Sequence, residues 1–272
     1  MTSQPMKLGG VLLACDQNSK YLGFWPFVRA AWQQIVGIPV MLVFIGEAIP
    51  DHLKDDPCVS LFRWPTSGPS WPTATVAQVI RILLPALVRS DDAILISDMD
   101  CAPLNGRFFH QEVARGQDGQ FLTTLAPMDH ERQIAIMYCA AQPKTWADLF
   151  GIHSIDDVYQ TLHLWAATCP ADGSHGGTGW TTDQTMLYKR VKDWQGACPH
   201  RLALSTWDYQ YPRLCRSMTA EWISGLTPEL RSRLFHGYYI DFHMPSHELC
   251  RNQITEIIDF ARAVARSPGR WR

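Results

Sequence analysis

The sequence predicts a single α/β domain whose mainly parallel central sheet is flanked by helices. Three observations predict it. Short continuous apolar runs at residues 9 to 15, 40 to 45 and 93 to 96 have the length of strands buried on both faces. Helical segments lie between them, so the chain opens strand–helix–strand, the order of a parallel sheet. The 272 residues are 46% apolar and show no internal repeat, low-complexity tract or linker, which fits one compact unit spanning 1–272.

The first strand, GGVLLAC, is followed by polar Asp16-Gln17-Asn18-Ser19-Lys20 at its carboxyl end. A helix is expected from Trp25 to Ile35, with Pro26 tolerated in its first turn and Gly37 closing it. Residues 50 to 72, rich in Pro, Ser, Asp and Trp, read as an irregular loop. The next helix begins at Thr73 or Thr75, either of which can cap it. Val76, Val79, Ile80, Leu83, Leu84 and Leu87 form its apolar face, while Gln78 and Arg81 share another. Pro85 kinks or shortens its last turn. Strand 93 to 96 follows, then further strands at 121 to 126 and 134 to 141. Residues 143 to 168 read as mainly helical and 170 to 179 as a loop. Residues 182 to 191 form a helix starting at Thr181 or Thr182. The chain ends on an amphipathic helix with Ile254, Ile257, Ile258, Ala261 and Val264 on one face.

A formal net charge of −2 implies no polyanion partner, so no nucleic acid is expected. The basic groups Lys189, Arg190, Lys192 and Arg262, Arg266, Arg270, Arg272 read as solvated surface. Eight cysteines without a C-x-x-C pair read as thiols of a reducing compartment. Leu12-Leu13-Ala14-Cys15 has the letters of a lipoprotein cleavage box, but a buried strand explains them better. No run approaches the roughly 20 apolar residues of a membrane span. A cytoplasmic protein without a transmembrane segment is expected.

The strongest local signal is AILISDMDCAPL, residues 93 to 104. A buried strand delivers Asp98 and Asp100 at its carboxyl end, where open α/β sheets gather ligands. In extended chain, residues i and i+2 point the same way, so the two carboxylates should face one point. Two carboxylates that close repel unless a cation sits between them or one is protonated, and Mg²⁺ or Mn²⁺ prefers such oxygens. The competing reading is an acidic surface turn.

The longer segment SWPTATVAQVIRILLPALVRSDDAILISDMDCAPL resembles the donor-binding core of GT-A glycosyltransferases. It is similar to the glycogenin-like pattern, in which an Arg-bearing helix with a later Pro precedes an apolar strand and D-x-D. Residues 9 to 104 also resemble the small GT-A enzymes of large algal viruses that decorate capsid glycans. The resemblance implies a GT-A-like, Rossmann-like domain with a nucleotide-sugar-binding half (1–105) and an acceptor and catalytic half (106–272). It implies a Mn²⁺- or Mg²⁺-dependent transfer from a nucleotide-diphosphate sugar, UDP-sugar favoured, to a glycan acceptor hydroxyl. Asp98 would contact the ribose and help hold the metal, and Asp100 would ligate it directly. Arg81 would reach the base, ribose or diphosphate; otherwise it forms a surface ion pair with Asp91 or Asp92. Gln78 would bind donor hydroxyls or be solvated. Ala14, Asp16 and Asn18 match the uridine-contacting strand; otherwise they form an ordinary strand-end turn.

GTGWTTDQTMLYKRV, residues 177 to 191, resembles the D-Q block of the same enzymes. If the reaction inverts configuration, the favoured outcome, Asp183 is the base that takes the acceptor proton. If it retains configuration, Asp183 or Gln184 stabilises positive charge on the sugar. Alternatively Asp183 only favours the helix N-terminus. At an ordinary pKa of about 4 it would be ionised. Trp180 and Trp207 are candidate platforms for an acceptor sugar, or core residues. His175-Gly176-Gly177 reads as a lid over the donor or as a loop without function. In HGYYIDFHMPSHE, residues 236 to 248, His243 best resembles a late metal-binding His block, although the Lys and Trp of that block are missing. His236 and His247 are rivals. A zinc pair of His243 and His247 is opposed by the intervening Pro245. Two further readings are a D-x-D phosphatase, with Asp98 as nucleophile and Asp100 as acid, and a non-catalytic nucleotide or glycan binder. The phosphatase pattern lacks support at Ala102, where Thr or Val is expected.

Overall fold

The computed structural model describes residues 4–65, 71–123, 128–196, 198–204 and 212–267. Strand β1 (Leu8–Cys15) leads through helices α1 (Ser19–Leu22) and α2 (Trp25–Ala31) to β2 (Val40–Gly46). Next come β3 (Val59–Arg63), α3 (Thr73–Ile80), β4 (Ala93–Ile96), β5 (Cys101–Pro103) and α4 (Gly106–Val113). They are followed by β6 (Phe121–Thr123), β7 (Ala140–Ala141), α5 (Pro143–Phe150), α6 (Ile155–Thr168), α7 (Thr182–Gln195) and β8 (Leu202–Leu204). The described chain closes with β9 (Leu214–Cys215), α8 (Thr219–Trp222), α9 (Pro228–Phe235), β10 (Asp241–His243) and α10 (His247–Arg266).

The seven-stranded sheet has the order β3-β2-β1-β4-β7-β6-β8. The β1, β2, β3 and β4 ladders are parallel, as is β6 with β8, and only β7 runs against its neighbours. The expected mainly parallel α/β sheet is therefore present. The uninterrupted apolar run of β1 has a simple cause. Val11, Leu13 and Cys15 enter one core, shared with α2, α4 and α10. Leu12 and Ala14 enter a second core, shared with α3, α5, α6 and α7. Alternate residues point to opposite faces, so a strand covered on both sides must be apolar throughout.

Several elements depart from the expectation. Residues 50 to 72 hold an edge strand, β3, paired to β2. Its polar and half-exposed residues hide it, because an edge strand does not need an apolar run. The helix at 25 to 35 changes pitch: α2 passes into a π-turn at Trp32–Val36, closed by Gly37 at φ 79°. Neither Thr73 nor Thr75 caps α3; the hydroxyl of Thr73 donates instead to Asp16 Oδ2 at 2.9 Å. Helix α3 stops at Ile80, and Leu84–Leu87 forms a separate 3₁₀ turn around Pro85. Of residues 134 to 141 only Ala140–Ala141 is strand. Of 121 to 126, Phe121–Thr123 is strand and the remainder lies outside the described residues. The D-x-D segment is not extended. Strand β4 ends at Ile96, and Met99 and Asp100 form a turn before β5.

That turn matters because of what β5 joins. It pairs antiparallel with β10, placing Cys101 opposite His243, and β9 lies on the other side of β10. This small second sheet carries late residues back to the end of β4. All eight cysteines are free thiols. No helix among the described residues is long and apolar enough to cross a membrane.

Candidate functional site

A cavity of about 440 Å³ opens at the carboxyl ends of β1 and β4. Helix α2, which follows β1, and helix α3, which precedes β4, lie on opposite faces of the sheet, so the ends of the two strands leave a crevice. Eleven predicted residues line it: Ala14, Asp16, Asn18, Gln78, Arg81, Asp98, Asp100, Trp180, Asp183, Gln184 and His243. Trp207 lies outside the described residues.

Arg81 forms the floor. It follows the last turn of α3 and is 8% exposed. Its guanidinium donates to the Asp98 carboxylate and to the Ser97 carbonyl at 3.1 Å, and faces Asp183 Oδ2 at 3.5 Å. The surface pair with Asp91 or Asp92 is absent; Asp92 is taken by Lys7 at 2.9 Å. Burial works against the Arg81 charge, but Asp98 and Asp183 outweigh it and raise the pKa.

Asp183 occupies the first turn of α7 and is 3% exposed. Its Oδ1 accepts from the Gln184 N–H at 2.8 Å. Burial pushes its carboxyl up to about 6, against the charge of Arg81 and the Gln184 hydrogen bond. The expectation of an ordinary value near 4 is therefore corrected. Desolvation wins because Arg81 divides its charge between two aspartates.

The second cluster is more open. Asp100 Oδ2 accepts from Arg216 Nη1 at 3.3 Å and lies 3.2 Å from His243 Nε2. Burial raises the Asp100 carboxyl, but the His243 bond and charge together with Arg216 hold it below the usual range. Asp98 and Asp100 thus turn to different partners rather than to one point, because the turn breaks the extended geometry.

Asp100, Cys101 and His243 bring potential ligand atoms within 4.8 Å of one another. Carboxylate and imidazole suit a divalent cation such as Mn²⁺. Cys101 fits less well: burial drives its thiol pKa well up, so it belongs to the apolar wall. Among the three rival histidines, His243 faces the D-x-D turn. His236 is tied to the Ser232 carbonyl at 2.7 Å, on the last turn of α9. His247 contacts the Ser19 carbonyl at 3.0 Å and meets Phe24 edge-on, clasping α10 to the first helices.

At the other end, Asp16 Oδ1 accepts from the Asn18 N–H at 3.1 Å, and Asn18 caps α1 through Lys20 N–H at 3.1 Å. Trp180 packs against His175 with ring centroids 4.2 Å apart. Their loop is tied by Asp172, which accepts from the Ser174 and Thr178 N–H groups at 2.8 and 3.0 Å. The sequence reading missed Tyr21 and Arg216, both in the lining. Tyr21 had a weak signal, lying three residues after Asn18 in a short helix. Arg216 had none, because only the β9–β10 pairing brings it to Asp100.

No family model matches the sequence, and no curated protein matches it. Among solved structures, the chain is similar in shape to the galactosyltransferase LgtC, crystallised with donor and acceptor sugar analogues. Identity is 12%, coverage 97% of this chain and 99% of that chain, and TM-score 0.45. It is also similar to the glycosyltransferase GlyE of Streptococcus pneumoniae TIGR4, at 12% identity, 97% and 62% coverage and TM-score 0.47. A third is the bifunctional glycosyltransferase WbbM, at 10% identity, 98% and 50% coverage and TM-score 0.41. The chain thus spans 62% of GlyE and 50% of WbbM. These likenesses concern overall shape and assign no activity to this chain.

Proposed function

We propose that this cavity binds a nucleotide-diphosphate sugar, UDP-sugar favoured, with Mn²⁺ or Mg²⁺, and transfers the sugar to a glycan acceptor hydroxyl. One observation carries the reading: Arg81, Asp98 and Asp183 converge with Asp100 and His243 on one crevice at the sheet's carboxyl edge. Asp100 and His243 would hold the cation, with Asp98 beside them. When bound, the cation neutralises charge on the departing diphosphate. Ala14, Asp16 and Asn18 offer strand-end groups to the base and ribose. Gln78 and Gln184 face the donor hydroxyls, and Trp180 offers an aromatic face to the acceptor.

Asp183 is 3% exposed, with one oxygen on the Gln184 N–H and the other toward Arg81. A base must reach the proton it takes. Both oxygens of this carboxylate are already engaged, so inversion with Asp183 as the base lacks support, while its charge at the cavity wall can still act on a sugar bound there. With a value near 6 it is mostly ionised at pH 7. The phosphatase reading loses support, because Asp98 is engaged by Arg81 rather than poised for attack.

The test is thermal unfolding with UDP, GDP, CDP and ADP, each with and without Mn²⁺. A ligand at about 100 times its Kd adds roughly 2.7 kcal/mol. Stabilisation by one nucleotide, deepened by the cation, is the expected result. Failure of all four overturns the donor reading. Binding without transfer to any acceptor returns the chain to the non-catalytic binder, and the anomeric configuration of the product reports retention or inversion.

A further inference from the structure

Two arginines flank β9 and have opposite surroundings. Arg213 grips Asp241 with Nε at 2.7 and 3.0 Å from the two carboxylate oxygens, and Asp241 is fully buried and also accepts from Tyr138. That arginine is committed to the interior. Among the described residues Arg216 pairs with Asp100 Oδ2 at 3.3 Å, and its side chain is 46% exposed. It lines the cavity together with His243, Asp98 and Tyr21. An ion pair on an open side chain is readily exchanged, and a guanidinium binds phosphate oxygens at least as well as a carboxylate.

We propose that Arg216 is a diphosphate anchor of the donor pocket, and that it trades Asp100 for phosphate when the donor enters. The inference rests on the donor reading above and adds a residue and a linkage to it. Before donor binding, Arg81 is shared by Asp98 and Asp183 while Arg216 sits on Asp100, so the carboxylate that faces His243 is screened from a free cation. Phosphate draws Arg216 away and releases Asp100. Nucleotide and cation therefore bind cooperatively, each strengthening the other by the same factor.

The experiment is calorimetric titration of UDP, uridine and Mn²⁺ into the wild-type chain and into Arg216→Gln, with Arg216→Lys as a second variant. GDP, CDP or ADP and its nucleoside replace UDP and uridine if the wild-type chain prefers that base. Arg216→Gln is expected to weaken UDP about tenfold or more and leave uridine unchanged. It should bind Mn²⁺ alone more tightly than wild type and lose part of the nucleotide–cation coupling, the part carried by direct attraction between cation and diphosphate remaining. Arg216→Lys should retain part of the UDP affinity, since it keeps the charge without the fork. Melting curves of both variants check folding, and if Arg216→Gln is unfolded the lysine variant decides. Equal UDP affinity in wild type and a folded variant overturns the proposal while leaving the donor reading intact. An equal loss for uridine overturns it too, since the effect would not come from phosphate. A wild-type chain that binds no nucleoside diphosphate with Mn²⁺ overturns both.

Discussion

Arg81 and Arg216 each pair with one aspartate of the D-x-D turn, yet their settings differ. Arg81 is 8% exposed and serves a second carboxylate, Asp183, whereas Arg216 is 46% exposed in its side chain and holds Asp100 by one contact. Burial sets the difference. Removing one member of a buried ion group strands the remaining charge, while an exposed pair can be lost at little cost. The Arg81 cluster is therefore architecture as well as chemistry, and the Arg216 cluster is adjustable.

The sharpest way to break this contrast is Arg81→Met. It strands Asp183, and the expected loss is about 3–5 kcal/mol at pH 8, read by urea unfolding. The loss should shrink at pH 5, where Asp183 takes a proton. A loss below roughly 1 kcal/mol at pH 8 would put Arg81 in the exposed class. Next in size is Asp100→Ala. It should reduce kcat/KM of sugar transfer by about 10²–10³-fold, the usual effect of deleting a group that stabilises developing charge. EDTA should do the same to wild type, and the variant should melt close to wild type. Full activity of Asp98→Ala and Asp100→Ala in EDTA would sink the cation reading.

Asp183→Asn has a smaller effect of opposite sign on stability. The folded carboxyl titrates at about 6, above the ordinary range near 4. A raised folded value contributes stability that is complete below about pH 4 and is lost as pH rises through 6. At pH 8 the ionised side chain costs up to roughly 3 kcal/mol relative to a neutral one. The amide should therefore stabilise the chain at pH 8, and its advantage should fade as pH drops from 6 to 4. Transfer should fall although the protein is more stable, a trade common where a site holds a disfavoured charge. A pH-independent effect would show that Asp183 is not titrating in this window.

What the sequence disclosed divides along similar lines. Strands β1, β2 and β4 were legible because two-sided burial forces an unbroken apolar run. Edge strand β3 was not, since one open flank relaxes that demand. The residues facing the crevice from β1, α3 and α7 were legible because each lies near the end of a recognisable element. Arg216 was invisible, because β9 is two residues long and reaches the site only through its pairing with β10. Asp98 and Asp100 share the cavity, but a turn, which no period announces, replaces the extended chain expected there and gives the two carboxylates different partners. The raised pKa of Asp183 also depended on depth, and one sequence gives no measure of depth.

The Asp16 end of the cavity offers the smallest and most selective test. Thr73 donates to Asp16 Oδ2 at 2.9 Å, joining α3 to the end of β1. Asp16 keeps its Asn18 N–H bond when the hydroxyl is removed, and it is only half-buried. Thr73→Val should thus cost about 1 kcal/mol in urea unfolding, a single hydrogen bond discounted for solvent. Its functional effect should separate the two ends of the cavity. If Asp16 contacts the base, uridine and UDP weaken by the same small factor, because the phosphates and their arginines are untouched. If only UDP weakens, the base is bound elsewhere and the strand-end residues are an ordinary turn.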